Sequence, residues 1–221
     1  MSTTVRPPAH ETLLIGVLLS LVGGFLDAYT YVLKGGVFAN AQTGNVVLLA
    51  IALLDDHAPA VLKYLFPLSA FVAGIAVAET LRTSRTLGSG RGWVVVVLTL
   101  EGLWLTAAGA FGAALSDAVV NCGVSFVAGL QVTSFKKLGT SPYATTMITG
   151  NLRSAVELLG QAWRSRDPAA LRHALKYVVV IAGFAGGAAL GAAACALWGT
   201  EAAFAAVAGI AAVLALVAVR R

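Results

Sequence analysis

The sequence predicts an all-α polytopic membrane protein built from six spanning helices and two re-entrant half-helices, arranged as two inverted repeats. Three observations lead there. The chain is 58% hydrophobic and only 11% charged, with a mean hydropathy of +0.85, whereas a soluble domain carries about one quarter charged residues. One stretch of sequence occurs twice. The basic residues lie in short connections, and only one topology gathers them on a single side of the membrane.

The repeated stretch is GGFLDAYTYVLKGGVFANAQTGN from Gly23 to Asn45 and GLQVTSFKKLGTSPYATTMITGN from Gly129 to Asn151. Each copy starts at a glycine in an apolar helix and soon places a polar side chain, Asp27 or Gln131. Each then breaks at glycine (Gly35-Gly36, Gly139) and closes on the same tripeptide, Thr43-Gly44-Asn45 or Thr149-Gly150-Asn151. The shared order, more than the tripeptide alone, indicates duplication. Residues 12–115 form the first membrane repeat and 116–221 the second, within one integrated membrane domain, and residues 1–11 form a polar, proline-containing tail expected to be disordered.

Apolar stretches then follow in order: Thr12–Leu33, Val37–Leu54, Ala60–Leu81, Trp93–Leu115, Ala118–Phe135, Tyr143–Leu159, Leu175–Trp198 and Ala202–Val219. The first is expected to be retained rather than cleaved as a signal peptide, because it carries Asp27 and runs straight into the repeat. A span needs about 20 mostly apolar residues. The two stretches holding Thr-Gly-Asn fall short of that. In the first of them only Val46–Leu54 is continuously apolar, and the second carries Arg153 and Glu157 four apart on one helix face.

Loop charges decide between topologies. If every stretch crosses, Lys136-Lys137 and the group Arg164, Arg166, Arg172 and Lys176 lie on opposite sides. If the Thr-Gly-Asn segments dip in and return, every basic cluster, Arg82, Arg85, Arg91 and Arg220-Arg221 included, falls on the cytoplasmic side. Asp55-Asp56, Asp117 and Glu201 fall on the other, and both termini are cytoplasmic. Each repeat then crosses three times, so the second is upside down relative to the first. The alternative is eight spanning helices.

Small residues recur every four positions: Gly16, Ser20, Gly24 and Ala28; Ala70, Gly74 and Ala78; Ser125, Gly129 and Thr133; Gly183, Gly187 and Gly191. Such stripes let helix backbones approach closely in lipid. They equally suit a homodimer.

The net charge of +5 belongs to the cytoplasmic loops, so no nucleic-acid partner is expected. Cys122 and Cys195 read as small buried hydrophobes. His10, His57 and His173 show no metal-ligand spacing, and no nucleophile elbow, phosphate loop or dinucleotide fingerprint occurs. No catalytic residue, metal or cofactor is therefore expected, and the chain reads as a non-enzyme whose partners are the lipid bilayer and a small solute.

The residues expected to carry function surround the two breaks. Thr or Asn of the tripeptide is expected to cap a half-helix, with glycine turning the chain sharply before it. The positive helix ends then favour a hydrogen-bond-accepting solute. The bland reading is that Asn45 and Asn151 only satisfy broken backbone. The expected midplane site comprises Asp27, Asn40, Gln42, Thr43, Asn45, Gln131, Thr146, Thr149 and Asn151. Asp27 and Glu101 are deep acids and hence candidates for ion coupling. Lys34 and Lys63 are expected to snorkel, and Glu79 to meet Arg82.

The two copies of the repeated stretch resemble the signature regions of the YoaK family, bacterial integral membrane proteins classed as a domain of unknown function. The resemblance spans essentially the whole chain. One departure is Gln131-Val132-Thr133, where many members carry Gln-Asn-Ala. Membership implies a bacterial inner-membrane protein and leaves mechanism open. The reading is of a small-solute transporter or channel; the alternative is a non-transporting scaffold or partner subunit.

Overall fold

The computed structural model describes residues 12–55, 58–82, 91–138, 141–142 and 148–219. Its elements, in chain order, are α1 (Leu13–Leu33), α2 (Gln42–Leu54), α3 (Ala58–Arg82), α4 (Arg91–Phe111), α5 (Asp117–Ser134), a two-residue hairpin of β1 (Lys137–Leu138) and β2 (Ser141–Pro142), α6 (Ile148–Ser165), α7 (Pro168–Trp198) and α8 (Ala203–Val219). Among the described residues, four stretches are long and apolar enough to cross a membrane: α1, α3, α4 and the 52 residues from Pro168 to Val219. A 3-10 turn at Gly199–Ala202 divides that last stretch into α7 and α8. The chain is a polytopic helical membrane protein.

Several boundaries differ from expectation, those of α2 and α6 for a local reason, and α7 starts at Pro168 rather than Leu175. Helix α2 starts at Gln42 rather than Val37, because the backbone needs Gly35 and Gly36 at φ +79° and +75° to leave α1 and then bends at Ala39 and Asn40. Its 13 residues span about 20 Å at 1.5 Å per residue, short of a bilayer core of about 30 Å. Helix α6 runs on to Ser165, stopping only where Arg166 takes a positive φ of 48°. Beyond it, Asp167 caps α7 by accepting from the Ala169 amide at 2.8 Å, with Pro168 in the first turn.

The small-residue stripes are the helix contacts. Along α1 and α7, Gly183 lies beside Val17, Gly187 beside Leu21 and Gly191 beside Phe25, so the two helices run in the same direction. A Cβ built on Gly24 would sit 2.0 Å from the Phe184 carbonyl oxygen, and one on Gly187 would sit 1.9 Å from that of Leu21. The same exchange recurs between α5 and α3. A Cβ on Gly129 would sit 2.3 Å from the Phe71 oxygen, and one on Gly74 would sit 2.2 Å from that of Phe126. Thus α1 packs along α7, and α5 along α3.

The remaining contacts orient the bundle. Helices α4 and α8 are antiparallel, with Gly102 beside Ile210 and Gly109 beside Phe204. Helix α5 opposes α4, since Trp93 Nε1 donates to Ser134 Oγ at 2.9 Å while Trp104 lies against Gly123. The C-terminal ends of α1 and α4 meet where Lys34 Nζ donates to the Gly112 carbonyl at 2.7 Å. The N-terminal end of α5 joins them there, Asn121 donating to the Lys34 carbonyl at 2.8 Å. Helices α1, α4 and α7 therefore run one way, and α3, α5 and α8 the other. The core gathers around α1, with Leu19, Leu26 and Tyr29 against Leu98, Leu105 and Ile210. The outer faces of α3 and α7 stay exposed and apolar, as a lipid-facing surface requires.

Candidate functional site

The break after α1 is held by two side chains. Asp27, in α1, is buried and its Oδ1 accepts from the backbone amides of Asn40 at 2.7 Å and Ala41 at 3.4 Å. It therefore ties down the chain just before α2. Asn40 answers by donating its side-chain amide to the Gly23 carbonyl at 3.1 Å. Asn45 is fully buried and reaches back: its Oδ1 accepts from the Phe38 amide at 3.0 Å, and its Nδ2 donates to the Phe38 carbonyl and to Gln42 Oε1. Gln42 in turn donates to the Ala39 carbonyl at 2.8 Å. The non-helical segment before α2 is thus hydrogen-bonded by side chains in place of a neighbouring helix, as a polar backbone inside a membrane protein needs.

This corrects the expected role of the tripeptide. Thr43-Gly44-Asn45 lies inside the first turn of α2, the residue preceding the helix is Ala41, and no side chain caps it. Gly44 does not turn the chain. It makes room for Phe38, whose ring lies 2.9 Å from where a Cβ would stand and stacks on Tyr31 with centroids 4.7 Å apart. Asn45 is committed to its own loop, not to a solute. In the second copy Asn151 is buried in the first turn of α6. The expected break at Gly139 and the expected site residue Thr146 lie outside the described residues.

The deep acids do not share a partner. Glu101 is buried in α4 and accepts from Gln131 Nε2 through both oxygens, at 3.2 and 3.1 Å. Asp27 Oδ2 is buried with no partner among the described residues.

The first turns of α2 and α6 open onto one cavity of about 720 Å³. Asn40, Gln42 and Thr43 line it from the first copy, Thr149 and Gly150 from the second, with Phe71 and Phe184 between them. Asp27, Asn45, Gln131 and Asn151 are buried outside this lining. Among the lining residues missed from sequence are Thr133 and two charged ones, Glu79 and Lys136. Glu79 pairs with Arg82 at 2.9 Å, as expected, but also with Lys136 from beyond the end of α5. Near-terminal charges on separate helices carry no signal that they meet.

Lys34 does not snorkel. It is 4% exposed, held by the Gly112 carbonyl and by Asp117 at 3.4 Å. Lys63 is exposed, as expected. Arg153 and Glu157 pair at 2.8 Å on the exposed face of α6.

Residues 15–217 match the family described as "Protein of unknown function (DUF1275)". The chain is 32% identical over 145 residues to "UPF0700 transmembrane protein YoaK" of Bacillus subtilis (strain 168), a match covering 63% of this chain and 64% of that relative. The chain thus spans less than two thirds of the relative's length. No solved structure matches it. With the family match running from the start of α1 to the end of α8, the chain belongs to the DUF1275 family.

Proposed function

We propose that this protein is a small-solute transporter or channel of the bacterial inner membrane, and not an enzyme. In this reading it has six crossings, two inverted repeats, and both termini in the cytoplasm. One observation carries the reading: the first turns of α2 and α6, from opposite halves of the chain, line one cavity. Supporting it, α2 leaves the C-terminal end of α1 and returns to the N-terminal end of α3 on the same face, where Gly35 lies against Lys63. Helix α6 likewise joins the C-terminal end of α5 to the N-terminal end of α7 on the opposite face, which supports reading both as helices that dip in and return. The reciprocal crossings at Gly24 with Phe184 and at Gly129 with Phe71 are what a duplicated, inverted pair of units produces.

Hydroxyl and amide groups from Asn40, Gln42, Thr43, Thr133 and Thr149 suit a small solute that forms hydrogen bonds, with Phe71 and Phe184 as its apolar walls. Asp27 and Glu101, buried behind or beside this lining, are the coupling candidates. Purified protein in liposomes should pass glycerol or acetate faster than protein-free vesicles in stopped-flow light scattering. Thr43→Trp and Thr149→Trp, which fill the cavity from either copy, should each abolish the excess. A pH dependence of acetate flux should flatten in Glu101→Gln. No excess flux, or flux unchanged by both tryptophans, would favour the scaffold reading.

A further inference from the structure

A second cavity, of about 480 Å³, lies at the face where α1 and α4 end and α5 begins. Its polar lining is Lys34, Lys63, Asp117 and Asn121. Two ammonium groups therefore face one carboxylate. Lys63 has no ion pair among the described residues. Lys34 donates to the Gly112 carbonyl and forms an ion pair with Asp117 at 3.4 Å. Asn121 is 2% exposed and uses its amide N–H on the Lys34 carbonyl, which leaves Oδ1 buried with no partner among the described residues. A buried acceptor without a donor is uncommon and marks a place for a ligand that brings one.

This cavity does not stand alone. Phe66 and Ala118 also line an apolar groove of about 840 Å³ between α3, α4 and α5. Leu103, Val119 and Phe126 form its walls, together with Trp104, whose indole N–H is buried with no partner among the described residues. A polar pocket at the membrane face thus continues into an oily channel along the helices. We propose that the pair is a specific phospholipid site. The phosphate lies toward Lys63 and Lys34, a headgroup hydroxyl or ammonium donates to Asn121 Oδ1 and Asp117, and one acyl chain lies in the groove. A headgroup with both an anionic phosphate and a hydrogen-bond donor matches the Lys63 ammonium, which among the described residues otherwise has only the Tyr64 ring as a partner, at 5.1 Å, and the unpartnered Asn121 Oδ1. A choline headgroup has no donor to give.

Native mass spectrometry of delipidated protein, titrated separately with dioleoyl phosphatidylethanolamine, phosphatidylglycerol and phosphatidylcholine, tests this. Retention of at least one of the first two should exceed that of phosphatidylcholine by on the order of tenfold, the consequence of one unpaired buried polar group. Lys63→Ala should erase the preference, and Ala118→Trp, at the exposed junction of the two cavities, should lower retention of all three lipids. Water-soluble glycerophosphoethanolamine should not compete at equal concentration. Equal retention of the three lipids, wild-type retention in both variants, or full competition by the soluble headgroup would each overturn the assignment. None of these outcomes depends on whether the protein transports a solute.

Discussion

Replacing Gly187 by alanine is expected to lower the thermal unfolding temperature sharply, whereas the same change one residue earlier, at Gly186, is not. The added Cβ at Gly187 would sit 1.9 Å from the carbonyl oxygen of Leu21 and 2.7 Å from its carbonyl carbon. Those atoms are backbone, so no rotamer change relieves the clash. The helices α1 and α7 must separate along their main contact, and overpacking of this kind costs about 1–3 kcal/mol or more. A Cβ at Gly186 meets nothing within 4 Å. There alanine gains helix propensity of up to about 1 kcal/mol. Gly74→Ala, 2.2 Å from the Phe126 oxygen, should behave like Gly187→Ala. Scanning fluorimetry in detergent reads all three. Indistinguishable melting of Gly186→Ala and Gly187→Ala would refute the packing described.

Asn45→Ala is expected to be the second severe change. It removes three hydrogen bonds and leaves the amide and carbonyl of Phe38 without their side-chain partner in a half-buried setting. An orphaned buried polar group costs about 1–3 kcal/mol, and partial exposure brings each of these two toward the lower end of that range. Asn45→Asp should be no better. It keeps an acceptor for the Phe38 amide but turns an oxygen toward the Phe38 carbonyl and Gln42 Oε1. A loss of folded yield or a much lower melting temperature, measured by fluorescence-detected size exclusion, is the expected result. A wild-type profile for Asn45→Ala would mean the loop before α2 is held by something else. Because this change acts on folding, reduced flux in Asn45→Ala would say nothing about solute contact. Thr43 and Thr149 are the informative positions.

The stripes around Gly24, Gly74, Gly129 and Gly187 were legible in the sequence because close crossings leave only one class of residue that fits. The shortness of α2 was legible too, since length and polarity are local properties, whereas α6 runs on for 18 residues. What each motif residue does was not. Asn45 bonds to Phe38 and Gly44 yields to its ring, and nothing in the tripeptide itself points seven residues back. The ion pair of Glu79 with Lys136 and the burial of Lys34 under Gly112 join residues 57 and 78 positions apart. Such partners follow from the packing of α3 on α5 and of α1 on α4, which local pattern does not encode. Asp27 was singled out correctly as a residue that needs a partner. That its partners are the amides of Asn40 and Ala41, a fixed structural duty at the head of α2, required the fold.

Sidedness tests the account most directly. Single cysteines at Asp55 and at Arg166, in a background of Cys122→Ala and Cys195→Ala, can be labelled with a membrane-impermeant maleimide from either side of right-side-out and inverted vesicles. Asp55 follows α2 and Arg166 follows α6. If the half-helices dip in and return, the two sites label from opposite sides, Arg166 from the cytoplasm. If every helix crosses, both label from the same side, and neither the inverted repeats nor the shared cavity between their half-helices survives.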